Sequence, residues 1–197
     1  MVRHRPADAA LSRRYRVCHR GHDRGDAPAS HHRPFRELGH RLPRPHPPSP
    51  VVYEPIPADG FELEGQRLLA VETGHTDTDD TTVLYVPSIG VVVAGDVAYN
   101  GVHQYLLESA DGGIESWLAA IDKVAALQPR AVVAGHKNKD LPDDPTILDQ
   151  TRDYLLNAQR LLAENPSPRE YFDRIIALYP DRLNVGPVWY SAVALLS

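Results

Sequence analysis

Val91-Val92-Val93-Ala94-Gly95-Asp96-Val97-Ala98-Tyr99-Asn100-Gly101 is the stretch from which the rest of the chain can be read. Its first four residues are apolar, mostly β-branched and bounded by Gly90 and Gly95. Such a run predicts a buried strand. Gly95-Asp96 then sets a carboxylate where the strand gives way to a loop. Two other predicted strands end in the same way. Residues 68–73 lead into Gly74-His75-Thr76-Asp77, and residues 131–134 into Gly135-His136-Lys137. A rigid strand positions a ligating side chain well, and the glycine beside it lets the backbone turn sharply. Imidazole and carboxylate are suitable donors for zinc and similar divalent ions. Taken alone, each signal also fits a hydrogen-bonded loop histidine or a turn aspartate. The order His, Asp, His, about 20 and 40 residues apart, makes the three a set.

Around this stretch the chain reads as a mixed α/β fold. Residues 61–65 and 67–73 form one predicted hairpin. Residues 81–86 and 90–94 form a second, around Pro87-Ser88-Ile89-Gly90. Ile114, Trp117, Leu118, Ile121, Val124 and Ala125 share one face of a predicted helix that Pro129 stops. A long helix follows, with Asp144 as N-cap, Pro145 at its first position and Asn165-Pro166 beyond its end. Ser167-Pro168-Arg169-Glu170 is a capping box opening another helix, and residues 188–196 form a last short one. Hairpins followed by strand–helix alternation indicate an α+β arrangement.

The run Gly74-His75-Thr76-Asp77-Thr78-Asp79-Asp80-Thr81-Thr82, followed by Ala94-Gly95-Asp96-Val97-Ala98-Tyr99-Asn100-Gly101, resembles the metallo-β-lactamase-fold hydrolase superfamily. The likeness covers residues of about 51–197. It implies part of an αββα sandwich. It also implies that His75 matches the family's third histidine, a ligand of a first metal. Asp96 matches the aspartate shared by two metals, and His136 the final histidine, a ligand of the second. These three are thus the metal-ligand and catalytic candidates. In intact relatives two divalent ions, zinc by expectation, lower the pKa of a shared water, which attacks the substrate as hydroxide. The implied reaction is hydrolysis of an ester, lactone, thioester or amide in a small-molecule substrate. Tyr99, Asn100 and His103 follow the Asp96 loop as substrate-pocket candidates; the alternative is a loop tied down by its own hydrogen bonds. Asp77, Asp79 and Asp80 are candidates to orient a ligand histidine, or else a solvated acidic turn. Lys137 reads either as an anion contact or as a surface lysine, and Trp117 as core.

One departure stands out. The family's His-x-His-x-Asp-His motif, which lies upstream and supplies ligands to both metals, is absent. His19-Arg20-Gly21-His22-Asp23 and His31-His32 approach it without its spacing. Residues 1–50 differ in kind from the rest. They hold 11 Arg, no Lys and four acidic residues, a charge of +7, against 10 basic and 22 acidic residues, −12, in the remainder. This arm shows no strand or helix period, and five prolines fall within residues 42–50. Its composition predicts disorder or a segment translated out of frame, a reading that an intact frame in the source gene would end. Residues 51–197 would then be the family's C-terminal portion, an incomplete sandwich whose open sheet face favours a homodimer. Two further functional readings follow: a catalytically inactive truncated or frame-shifted remnant, and a nucleic-acid-binding module working through the arm. The acidic body argues against the second. A single cysteine, Cys18, excludes an internal disulfide and a cysteine-based zinc cluster. With no apolar run of about 18 residues and no signal-peptide pattern, the expected location is the cytoplasm.

Overall fold

The computed structural model describes Val17–Cys18 and residues 54–196. The histidines of the arm and its expected disorder lie outside the described residues. The chain divides into two units, Met1–Pro57 and Ala58–Ser197. In the first, β1 (Val17–Cys18) and β2 (Glu54–Pro55) pair in parallel.

The second unit is built on a five-stranded sheet in sequential order: β3 (Phe61–Leu63), β4 (Gln66–Gly74), β5 (Thr81–Val86), β6 (Val91–Asn100) and β7 (Ala131–Lys137). The first four strands are antiparallel neighbours, and the two hairpins that the turn residues predict are among their connections. β6 and β7 run parallel. A parallel pair needs a crossover, and α1 (Gly113–Ala126) supplies it. The chain then continues into α2 (Ile147–Ala163), α3 (Pro168–Leu178) and α4 (Gly186–Leu196).

Strand alternation decides what is buried. Val83, Val92, Ala94, Val132 and Ala134 turn one sheet face into the core. There they meet Ile114, Trp117, Ile121 and Val124 of α1 and Leu155, Ala158 and Leu161 of α2. Tyr171 and Ile175 of α3 and Val188 and Ala192 of α4 complete this core. On the opposite face, Ala70, Leu84, Val93 and Val133 are successive cross-strand partners. Val93 in that row stays 42% exposed, so an apolar sheet face reaches solvent.

Three local expectations need correction. Two of the predicted strands do not stop before their polar residues: β6 runs through Gly95-Asp96 and β7 through Gly135-His136. The long helix begins at Ile147, not at Pro145. Asp144 Oδ1 accepts from the Thr146 N–H two residues on, a tight turn that uses up its capping oxygen before the helix starts. Ala125 is exposed, because the buried stripe of α1 passes through Ala120 instead. The capping box is present as expected: the Ser167 side chain accepts from the Glu170 N–H, and the Glu170 carboxylate accepts from the Ser167 N–H.

Candidate metal centre

The site begins with a fault in the β6–β7 ladder. Gly95 pairs with Ala134, but the next pair is Tyr99 with His136. Between these pairs β6 has surplus residues, and they leave the ladder as a bulge. Asp96 is one of them, so its carboxylate is released from strict alternation. Gly95 enters the bulge at φ 51°, a conformation that favours glycine. Across the ladder, a β-carbon on Gly135 would lie 2.8 Å from Asp96 Oδ1 and 2.9 Å from the Gly95 carbonyl carbon. β7 must therefore pass the bulge without a side chain, and the next residue, His136, comes level with Asp96.

His136 Nε2 lies 3.2 Å from Asp96 Oδ1. Asp77, from the turn after β4, joins them: one donor atom from each of Asp77, Asp96 and His136 lies within 4.8 Å of the others. The side chains of His136 and Asp96 are 53% and 40% exposed, whereas Asp77 is 5% exposed. The group is thus open on one side and anchored on the other. Tyr99 does the anchoring. Its ring stacks on His136 at 4.9 Å between centroids, and its hydroxyl donates to Asp77 Oδ2. Burial pushes the Asp77 carboxyl above the usual carboxylate range despite that hydrogen bond, and the Asp96 charge adds to the push. Burial also lifts the Tyr99 phenol far above its ordinary value, with the bond to Asp77 adding, so Tyr99 stays a neutral donor.

Deeper residues fix Tyr99 and the bulge. The Tyr99 N–H donates to Thr151 Oγ1 on α2, and Thr151 itself is fully buried. Trp117 packs its ring 5.7 Å from that of Tyr99 and donates its Nε1–H to the Val97 carbonyl inside the bulge. Leaving that carbonyl unpaired would cost about 1–3 kcal/mol. An irregular strand is therefore held by regular helices.

The other candidates fall in different places. His75 does not belong to the donor group. Its Nδ1 shares a 2.7 Å hydrogen bond with Asp79, and its Nε2 is buried without a hydrogen-bond partner beside Gly113 at the start of α1. Asp79 is otherwise exposed, and so is Asp80, at φ 55° in the same turn. Asn100 and His103 are each 1% exposed and bonded inward, Asn100 to the Pro142 carbonyl and His103 to the Tyr154 hydroxyl. Lys137 donates to both oxygens of Asp143.

With this geometry in hand, the comparisons with known proteins decide the family. A sequence profile of the metallo-beta-lactamase superfamily matches residues 7–136. The chain belongs to that superfamily. A solved structure agrees on the fold. A metallo-beta-lactamase family protein from Thermus thermophilus is similar at 21% identity and TM-score 0.53, over 75% of this chain and 48% of that one. A metallo-beta-lactamase from Pontibacter korlensis is 24% identical, with TM-score 0.45, over 54% of this chain and 50% of the other. The chain thus spans about half the length of these solved structures. No curated protein sequence matches it. The described residues of the second unit form one five-stranded sheet with helices packed on one face.

The donor set fits a divalent metal. Two carboxylates converging beside an imidazole repel one another, and a cation among them would relieve that repulsion; these are the side chains zinc takes. The sequence pattern offers Asp77 either as a partner orienting a ligand histidine or as part of a solvated turn, whereas in the structure it is buried with an oxygen within 4.8 Å of donor atoms of Asp96 and His136. No local signal marks it, because Asp77 reaches the group by the course of its turn and by a bond to Tyr99, 22 residues further on.

Proposed function

We propose that this chain is a zinc-dependent hydrolase of a small-molecule ester, lactone, thioester or amide, with Asp96 and His136 as the central metal ligands. The observation that carries this reading is the 3.2 Å approach of His136 Nε2 to Asp96 Oδ1 at a solvent-open bulge. When bound, the metal would polarise the scissile carbonyl and activate water. The protein's part is to hold the donors at fixed positions. Gly135 permits the approach, Tyr99 supports the ring of His136, and the exposed flank of Asp96 and His136 leaves room for substrate. His75 is proposed as a further ligand on the strength of its place in the family motif.

Elemental analysis of the purified chain, beside His136→Ala and His75→Ala, tests the reading. Zinc in the wild type, its loss in His136→Ala, and chelator-sensitive turnover of a panel of esters, lactones, thioesters and amides are the expected results. Wild-type protein free of metal after zinc loading would overturn it. Retention of zinc in His75→Ala would confine the site to the Asp77 group.

A second reading is a chain that binds metal without turnover. Its support is the absence of the upstream His-x-His-x-Asp-His motif, which in intact relatives supplies ligands to both metals. Metal binding with no hydrolysis across the panel would favour it. For quaternary structure, the exposed row through Val93 favours a homodimer formed sheet face to sheet face, checked by light scattering after gel filtration. No helix among the described residues is long and apolar enough to cross a membrane. With one cysteine in the whole chain, we place the protein in the cytoplasm, which cell fractionation would check.

A further inference from the structure

We propose that Asp77 is itself a metal ligand in this chain and that Tyr99 is the positioning residue that presents it. The proposal rests on the metal-binding reading above. Asp77 is 5% exposed, and a buried carboxylate is costly unless something compensates it. Its two oxygens are treated differently. Oδ2 accepts the Tyr99 hydroxyl, whereas Oδ1 has only a long 3.4 Å contact from Thr76 Oγ1. Tyr99 therefore occupies one oxygen and leaves the other with only that long contact, and an Asp77 oxygen lies within 4.8 Å of donor atoms on Asp96 and His136.

The same phenol ring stacks on His136. One side chain thus orients two of the three donors, which come from separate elements: the turn after β4 and strand β7. Tyr99 can do this because it is held from several sides. It is 2% exposed, packed against Trp117, and its N–H is tied to Thr151 on α2. With Asp77 counted, the second unit supplies the three protein ligands of a catalytic zinc site from its own residues. The ligand is a single divalent cation, and the stoichiometry is one ion per chain.

The test is titration of the full chain with zinc alone by calorimetry, with cobalt(II) as a spectroscopic substitute. Asp77→Asn keeps the size and the hydrogen bond from Tyr99 while removing the charge. Tyr99→Phe keeps the ring and removes only the hydroxyl. Tyr99→Phe is expected to weaken zinc binding about tenfold, within the range found when the groups that orient metal ligands are removed, and Asp77→Asn, which strips the charge from a ligand, about a hundredfold or more. Both should shift the visible cobalt bands, which a merely structural role would leave alone. Thermal melts of the metal-free variants show whether each is folded, and either variant alone suffices. Wild-type affinity and unshifted bands in both variants, with binding still lost in His136→Ala, would overturn the role of Asp77 and Tyr99 yet leave the site at Asp96 and His136 standing. A wild type that binds neither ion overturns both.

Discussion

Two polar clusters sit on the same scaffold and have opposite characters. The Asp77–Asp96–His136 group collects two carboxylates and an imidazole, and Asp96 and His136 face solvent. The second cluster forms where the loop after β6 meets α2. There His103 meets the Tyr154 hydroxyl at 3.2 Å, and the Arg182 guanidinium lies over the rings of Tyr154 and Tyr179 at 4.9 and 5.1 Å. Arg182 also donates to the carbonyls of Val102 and Gln150. In this cluster the cation is supplied by the protein, and His103 Nδ1 and the Arg182 guanidinium hold the loop to its neighbours, while His103 Nε2 is buried without a partner. In the first cluster the anions converge and the cation must come from outside. Polar residues near a strand end thus divide into those that complete the fold and those that the fold leaves available. The difference lies in charge balance and exposure, not in residue type, since each cluster contains a histidine.

That contrast can be broken experimentally, and the largest effect is expected from pH. Burial, with the Arg182 charge adding, holds His103 down to about 4 from an ordinary 6.5. The folded state therefore prefers neutral His103, while the unfolded chain takes up a proton near its ordinary value. The stabilisation is complete above the unfolded value and is drawn down as pH falls toward the folded one. The expected loss is about 3 kcal/mol between those limits. Urea unfolding across that range, compared with His103→Phe, reads this out. A variant with the same pH slope as the wild type would show that the closed cluster does not behave as described.

A smaller effect is expected from Arg182→Met, which keeps much of the side-chain bulk but drops two charged hydrogen bonds to carbonyls. It should cost about 2 kcal/mol and bring the His103 titration nearer its ordinary value, as seen by NMR of the ring protons. The smallest effect is expected at the open cluster. His136→Ala in metal-free protein should change unfolding stability by less than about 1 kcal/mol, since the half-exposed ring gives up only its stacking on Tyr99 and a solvent-open contact with Asp96. A loss of several times that amount would make His136 a structural histidine after all and erase the distinction between the clusters.

Legibility in the sequence follows the range of the forces involved. The hairpins, the buried faces of α1 and α2 and the capping box at Ser167 depend on neighbours a few residues apart, and they could be read from spacing and turn chemistry. Gly135 before His136 reads from sequence as a place for a sharp turn, whereas the close approach of Asp96 Oδ1 that its missing side chain permits comes from the ladder. β6 continues through Asp96, which its local sequence does not show. A bulge is defined by the partner strand's register, and β7 lies more than thirty residues away in sequence. His103 shows the converse. It reads either as a pocket residue or as part of a loop tied down by its own hydrogen bonds, and its bonds go to the Tyr154 hydroxyl on α2 and, through its N–H, to the Leu183 carbonyl in the turn before α4.

By itself the sequence determined the mixed α/β class, the family resemblance, the change in character near residue 51, and Asp96 and His136 as metal-capable residues at the end of one layer. Only the tertiary structure decided that Asp77 joins them, that His75 stands apart with Asp79, and that Tyr99 supports both Asp77 and His136. The physical reason is that periodicity and turn chemistry record what each segment buries and where it bends. The meeting of donors from a turn, a bulge and a parallel strand depends on ladder register and on the helices packed beneath, which act between residues far apart in the chain.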